Sequence, residues 1–198
     1  MSIVVEHEKR RKEILEKALD VFVNEGYEST TFQKIADHCG ITRTTLYIYF
    51  KNKKDIFDFS AKQLLAKVHT SIKIICADTS LNSIDRIIKV LLDIFRQLEE
   101  NRRLLLVTRE YLMYFSTSTK DPERRIRRRT LKMRHIMASL IIDGIKSGEL
   151  KVTQVKAVNE YLYSLIEAAI FRLVVLQKQT VGDLSKTAIF AVRQISAA

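Results

Sequence analysis

The scarcity of helix-breaking residues is the feature that most constrains the fold of this chain. Its 198 residues include one proline and five glycines, and no alternating Val/Thr-rich run predicts a strand. From about Glu6 to Glu25, apolar residues form one continuous helical stripe, which consists of Ile14, Leu15, Ala18, Leu19, Phe22 and Val23. Similar stripes recur along the chain. The sequence therefore predicts an all-α fold of about nine helices.

The charge of the chain is strongly basic but unevenly distributed. A net charge of +11 favours nucleic acid or an acidic surface as a partner. Residues 1–54, however, carry ten Lys and Arg against eight Asp and Glu, whereas the remainder carries twenty-four against fifteen. Because most of the excess lies outside the opening segment, total charge is a poor guide to where a partner binds.

The sequence offers little for catalysis or metal binding. Cys39 and Cys76 have neither disulfide-scaffold nor zinc spacing, and the four histidines have no mutual spacing for a metal. No Ser/His/Asp set, phosphate-binding loop or marked pair of carboxylates is present. We therefore expect no metal, no cofactor and no enzymatic activity.

Two apolar segments bear on location. The apolar run at residues 3–5 is too short for the core of a signal peptide. The most apolar helix, around 161–176, is interrupted by Glu167 and Arg172, which argues against a membrane span. We expect a cytoplasmic protein without a membrane partner.

Residues 32–50 have the pattern of a helix-turn-helix. Ala36 is small enough for two short helices to approach closely, and Gly40 follows where the turn needs an unusual backbone conformation. The apolar residues spaced to fill the wedge between the helices are Ile35, Cys39, Ile41, Leu46 and Tyr49. The second helix, about Thr42–Tyr49, has the size to enter the major groove of DNA. The alternative is a pair of surface helices with an ordinary polar face.

Segment 14–57 resembles the DNA-binding domain of the TetR family of bacterial transcriptional regulators (TetR/AcrR type). Besides the first-helix stripe, the matching elements are Gly26–Tyr27, Thr30–Thr31, Ile35–Ala36, Gly40–Ile41, Leu46–Lys53 and Asp55. The run Gly144–Leu150 resembles the family's usual end of the seventh helix. The resemblance implies a three-helix helix-turn-helix domain over residues 1–54 and a larger helical effector-binding and dimerisation domain over residues 55–198. It also implies a repressor that a small-molecule effector releases from a palindromic operator.

The resemblance further implies a set of contacts with double-stranded DNA. These residues are Thr30, Thr31, Thr42, Arg43, Thr44, Thr45, Tyr47, Ile48, Tyr49 and Lys53. The Tyr47 hydroxyl and the Lys53 ammonium would bind backbone phosphates. Thr30 or Thr31 would do the same from the start of the second helix.

Arg43 is the candidate for reading guanine, because its guanidinium matches O6 and N7. Thr44 and Thr45 would reach a base edge or a thymine methyl group. Ile48 departs from the polar or aromatic residue often found at this position in the family, which favours methyl contact or packing. The basic run Lys9–Lys12 would either reach the neighbouring DNA backbone or form a solvated helix start.

A dimer is expected because one recognition helix cannot specify a site alone. The eighth helix is apolar around most of its circumference, and the ninth repeats the pattern, so a partner subunit would cover the second side. The predicted interface residues are Leu162, Ile166, Ile170, Leu173, Val174, Leu184, Ala188 and Val192. The alternative is that these helices are buried entirely within their own subunit.

The effector is the least determined partner, and its identity does not follow from the sequence. The resemblance implies an effector pocket, for which the aromatic candidates are Phe95, Tyr111, Tyr114, Phe115 and Tyr163. The alternative, which the sequence favours, is that they form ordinary aromatic core. The arginine-rich run Arg124–Arg134 is either a solvated basic face or a site for an anionic ligand or an acidic protein surface. The alternative function is a DNA-binding adapter whose C-terminal domain binds a protein partner.

Overall fold

The structure is a computed structural model that describes residues 3–115, 121–151 and 154–197, with side chains for 5–111, 131–151 and 154–197. These residues form α1 (Ile3–Glu25), α2 (Phe32–Cys39), α3 (Arg43–Tyr49), α4 (Lys53–Ala77), α5 (Ser83–Glu100), α6 (Arg102–Phe115), α7 (Asp121–Lys146), α8 (Val155–Val174) and α9 (Gly182–Gln194). The extended pairing within the described ranges is one antiparallel bridge between Leu150 and Ser196. The predicted all-α fold of about nine helices is confirmed.

The chain divides into two compact units. The first contains Met1–Ala66 and Arg103–Ser118, and the second contains Lys67–Arg102 and Thr119–Ala198. Helix α4 therefore runs from the first unit into the second, and almost all of α6 belongs to the first. The predicted boundary between residues 54 and 55 falls inside α4. The division into a DNA-binding and an effector domain is one of function, and it stays a prediction.

The first unit is built around the apolar stripe of α1. Ile14, Ala18 and Phe22 are each at most 2% exposed. They share one core with residues of α2, α3, α4 and α6, which are Ile35, Ala36, Leu46, Ile56, Leu104, Val107 and Tyr111. Because apolar burial stabilises by about 25 cal/mol per Å², this shared core is what holds helices as short as α2 and α3 in place.

The second unit is built around α5, which packs against α7, α8 and α9. The buried apolar residues of α5 are Ile87, Val90, Leu91, Ile94 and Phe95. Its first turn is capped twice, because the Asn82 side chain accepts from the Asp85 N–H at 2.7 Å and the Glu149 carboxylate accepts from the Ser83 N–H. The cap from Glu149 ties the end of the seventh-helix region to the start of α5.

Gly144 explains part of the run Gly144–Leu150 in physical terms. A Cβ atom at this position would lie 2.6 Å from Leu150 Cδ1 and 3.0 Å from Ser83 Cβ. Both distances are too short for van der Waals contact, so a side chain here would push α5 and α7 apart. The glycine is therefore a site of close approach between these two helices.

The two cysteines are free thiols, one in each compact unit. Cys39 is buried where α2 meets α1, with its Sγ 4.0 Å from the carbonyl oxygen of Ile14. Cys76 is half-buried near the end of α4. Burial raises the pKa of both thiols.

Two absences hold for the residues that the structure describes. None of their helices combines the length and the apolar character needed to cross a membrane. No three of their His, Cys, Asp and Glu side chains are grouped so that they could hold a metal ion.

Candidate nucleic-acid interface

Two hydroxyl caps and one left-handed glycine shape the helix-turn-helix. Thr31 precedes α2 and accepts from the Lys34 N–H at 3.2 Å, and Thr42 precedes α3 and accepts from the Thr45 N–H at 3.1 Å. Gly40 follows α2 with a φ of 68°, a conformation that strains other residues. Because short helices leave much of their backbone unpaired, these caps fix where α2 and α3 begin.

Helix α3 presents most of its surface to solvent. All seven of its residues are described, and among them Leu46 is buried and anchors the helix in the core of the first unit. Arg43, Thr44, Tyr47 and Ile48 are exposed, Ile48 at 67%. This face combines a cation, hydroxyl groups and a branched apolar side chain, which are the groups that contact phosphates and base edges.

The remaining predicted residues of this helix are less open. Thr42 is exposed, but its hydroxyl is 2.8 Å from that of Thr45, which is half-buried. Tyr49 is also half-buried, because the ring of His7 stacks on it at a centroid distance of 4.7 Å. The start of α1 therefore covers part of the C-terminal end of α3.

The basic run at the start of α1 is only partly free for DNA. The Arg11 guanidinium lies over the ring of Phe59 at 3.8 Å and near that of Phe50 at 5.0 Å. This cation–π packing holds the first turns of α1 against the start of α4. Lys9 and Lys12 are exposed.

Thr30, which was predicted to contact a DNA phosphate, has a buried side chain. Its side chain is 1% exposed, and its hydroxyl donates to the carbonyl oxygen of Gly26 at 2.7 Å. The hydroxyl proton is used inside the protein, so Thr30 stabilises the turn after α1, and its phosphate contact stays a prediction. Thr31 is exposed, and because its oxygen accepts the bond from Lys34, its proton stays available to an anion.

Lys53 also has partners inside the protein, and its predicted phosphate contact stays a prediction. Its Nζ donates to the carbonyl oxygens of Tyr27, Glu28 and Thr30 at 2.8, 2.8 and 2.9 Å, and it lies 4.8 Å from the centre of the Tyr27 ring. An ammonium group has three protons, and all three are used. Burial lowers the pKa of Lys53, and the Glu28 carboxylate raises it. Lys53 thus ties the start of α4 to the turn that precedes α2.

Glu110 of α6 holds the same turn and was not predicted from the sequence. Its Oε2 accepts from the N–H of Tyr27 at 2.9 Å. The Tyr27 ring is 1% exposed and packs against the rings of Phe22, Phe57 and Tyr111. The turn at Tyr27 is therefore fixed by α4 and α6 together. No sequence signal links Glu110 to a residue 83 positions away.

The residues predicted for the dimer interface differ in their burial within the single chain, and the interface stays a prediction. Seven of them are buried within a single chain, and these are Leu162, Ile166, Leu173, Val174, Leu184, Ala188 and Val192. Ile170 is 37% exposed. Helix α8 packs against α5, α7 and α9. The exposed apolar residues of this region are Tyr161, Ile170, Phe171, Val175, Leu176 and Phe190.

The described aromatic residues proposed for an effector pocket belong to both compact units, and the pocket stays a prediction. Tyr111 stacks on Phe57 at 4.3 Å in the core of the first unit, whereas Phe95 and Tyr163 are buried in the second. The side chains of Tyr114 and Phe115 lie outside the described residues.

The arginine-rich run is described only at its end. The side chains of residues 124–129 lie outside the described set. Arg134 is described, and it pairs with Glu160 and, at 3.5 Å, with Glu167. Its guanidinium lies 4.3 Å from the centre of the Tyr163 ring. Arg134 is thus part of an α7–α8 contact, and the role of the rest of the run stays open.

An all-α chain with an exposed, capped seven-residue helix after a left-handed glycine is a helix-turn-helix DNA-binding protein. Residues 14–58 match the family model described as bacterial regulatory proteins, tetR family, and residues 86–182 match the one described as tetracyclin repressor-like, C-terminal domain. Together the two models cover well over half of the sequence. The chain belongs to the TetR family of bacterial transcriptional regulators.

Individual relatives agree with this assignment. The fatty acid metabolism regulator protein of Bacillus subtilis (strain 168) is 25% identical over 170 residues, which is 82% of this chain and 84% of that protein. The regulator AcrR of Shigella flexneri is 40% identical over 52 residues, 26% of this chain and 24% of that protein. The crystal structure of a TetR regulator from Haloarcula marismortui superposes with a TM-score of 0.79 at 21% identity, covering 96% and 99% of the two chains.

These relatives are regulators, and the chain is a DNA-binding transcriptional regulator, not an enzyme.

Proposed function

We propose that this regulator is a repressor that binds a palindromic operator as a homodimer and is released by a small-molecule effector. The observation that supports it most directly is the exposed face of α3. In that role Arg43 reads guanine, while Thr44 and Ile48 contact neighbouring base edges and methyl groups. Tyr47 and Thr31 hold the flanking phosphates, since each hydroxyl still has a proton to donate.

Selection of duplexes from a random pool, followed by binding measurements with Arg43→Ala, tests the DNA contacts. The variant should lose about 1–3 kcal/mol of discrimination at one base pair while keeping its affinity for random DNA. Equal losses on the selected duplex and on random DNA would reject base reading by Arg43. Selection from genomic fragments separates the two functions, because many dispersed sites would favour the DNA-binding adapter.

The homodimer is supported by the apolar residues that α8 and α9 leave exposed. Tyr161, Phe171 and Val175 follow one stripe along and just beyond α8, and Phe190 lies exposed on α9. A twofold axis would place this stripe against its own copy and set two α3 helices on half-sites about one DNA turn apart, ~34 Å. Sedimentation of the purified protein should give twice the monomer mass at micromolar concentration. A monomer under those conditions would contradict the proposal.

The effector class is suggested by one relative. The Bacillus subtilis protein is named as a regulator of fatty acid metabolism, so fatty acids of different chain lengths come first in a ligand screen. An effector must bind the conformation that does not bind DNA more tightly than the one that does. It should therefore raise the melting temperature of the free protein and weaken binding to the selected duplex. If none of these compounds does both, the fatty-acid assignment fails.

A further inference from the structure

Two exposed residues of α3 are joined by a hydrogen bond. Nη2 of Arg43 donates to the hydroxyl oxygen of Tyr47 at 3.1 Å. The same guanidinium carbon lies 5.6 Å from the centre of the Tyr47 ring. The residues are four positions apart, so they lie one above the other on the same face of the helix.

The position of the Tyr47 ring is itself fixed by α2. The ring of Phe32 lies 4.8 Å from it, centroid to centroid, with the planes tilted by 46°. Tyr47 is 50% exposed, so one side of the ring is packed and the hydroxyl end is open. A rigid aromatic ring with two torsion angles, held against a neighbouring helix, defines where its oxygen lies much better than a free side chain does.

The hydroxyl group can serve a base-reading residue and a phosphate at once. It has one proton to donate and two lone pairs that accept. Because the bond from Arg43 uses a lone pair, the proton stays free for a phosphate oxygen. Donation of that proton makes the oxygen a better acceptor, so the phosphate contact and the bond to Arg43 strengthen each other.

We propose that Tyr47 is a positioning residue for sequence recognition, which orients the Arg43 guanidinium toward its base in addition to binding the DNA backbone. An exposed arginine otherwise loses several rotamers when it binds, and restricting them beforehand reduces that loss. This role rests on the proposed function of α3. Through Arg43, Tyr47 would contribute to sequence recognition, which its phosphate contact alone does not.

The test uses the tightest duplex selected from a random pool and the same duplex changed at the guanine that Arg43 reads. Dissociation constants are measured for the wild type, Tyr47→Phe, Arg43→Ala and the double variant. Phenylalanine keeps the ring packed on Phe32 and removes only the hydroxyl. Tyr47→Phe should reduce the ratio of the two dissociation constants about fivefold. This change is smaller than the full contribution of a hydrogen bond to a charged group, because the variant loses only the positioning of Arg43.

The double variant distinguishes positioning from backbone contact. Once Arg43 is absent, removal of the Tyr47 hydroxyl should weaken both duplexes equally and change discrimination no further. Ser139→Ala is the control, because it removes an exposed hydroxyl on α7, outside the predicted DNA contacts, and should leave discrimination unchanged. Far-UV circular dichroism checks that each variant is folded.

The outcomes separate this inference from the function on which it rests. If Tyr47→Phe weakens both duplexes by the same factor in the presence of Arg43, Tyr47 is a phosphate contact only, and the inference is overturned while the repressor stands. If the wild type prefers no duplex over any other, the specific DNA-binding function fails, and the inference falls with it.

Discussion

Helices α3 and α8 carry the two surfaces on which the proposed function depends, and α8 buries the larger share of its residues. Helix α3 has seven residues and buries Leu46, while its exposed face contains the predicted DNA contacts Arg43, Thr44, Tyr47 and Ile48. Helix α8 has twenty residues and buries seven of them. The α8 residues predicted for the dimer interface are buried within the single chain, except Ile170.

The difference shows which kind of surface a sequence can locate. A charged or hydroxyl-bearing side chain on a short amphipathic helix lies in water by default, because burial without a partner is costly. An apolar face must be covered, but its own subunit and a second subunit cover it equally well. The exposure of the polar residues of α3 could therefore be predicted from pattern alone, whereas the burial of one face of α8 depends on its packing against α5 and α7.

The largest expected effect comes from the residue that holds α3 to the core. Leu46→Ala should lower the free energy of unfolding by about 2–5 kcal/mol, because Leu46 is 0% exposed and the cavity would lie where α1, α2 and α3 meet. Ile48→Ala on the same helix should change it by less than about 0.5 kcal/mol. Urea titration followed by circular dichroism gives both values. Similar losses in the two variants would remove the contrast between the buried and exposed faces of α3.

The next effect sharpens the assignment of the outer face of α8. Phe171→Asp should raise the dimer dissociation constant at least about thirtyfold, because a large aromatic residue in an interface would be replaced by a carboxylate. Phe171 is 52% exposed in the single chain, so the fold should be retained.

Ile142→Asp provides the matched comparison, since Ile142 is an exposed apolar residue on α7 at 40%. It should leave the dimer intact. Sedimentation equilibrium of both variants distinguishes an interface on α8 from one on α7. If Ile142→Asp is a monomer and Phe171→Asp stays a dimer, the interface lies on α7.

The smallest effect concerns Lys53. Lys53→Met should lower the free energy of unfolding by about 1–2 kcal/mol, because three carbonyl oxygens would lose their shared donor. The nearby Lys51→Met should cost less than about 0.5 kcal/mol, since the Lys51 side chain is exposed.

Salt dependence then separates support from DNA contact. The slope of log affinity against log salt concentration should be the same for Lys53→Met and the wild type. A slope smaller by about one in Lys53→Met would support the phosphate contact that the sequence predicts for Lys53.

What could be predicted follows the range of each interaction. The helices, the caps at Thr31 and Thr42 and the turn at Gly40 depend on residues a few positions apart, and the sequence contains all of them. Lys53 and Glu110 depend on the fold, because their partners at Tyr27 are 26 and 83 positions away.

The aromatic residues also show that local sequence does not decide which part of the fold a side chain joins. Tyr111 was a reasonable pocket candidate by composition, but it belongs to the core of the first unit with Tyr27 and Phe57. Tyr111 lies in this core because α6 belongs to the first unit, and no local sequence pattern predicts that.

The two thiols provide separate reporters of local opening. A thiol-specific reagent needs the thiolate and physical access, and the buried Cys39 has neither while α1 and α2 stay together. Its labelling rate would therefore measure how often the DNA-binding unit opens. Cys76 should react first, at a rate set by α4 in the other unit. An effector or operator that slows one rate and spares the other would show which half of the molecule it tightens.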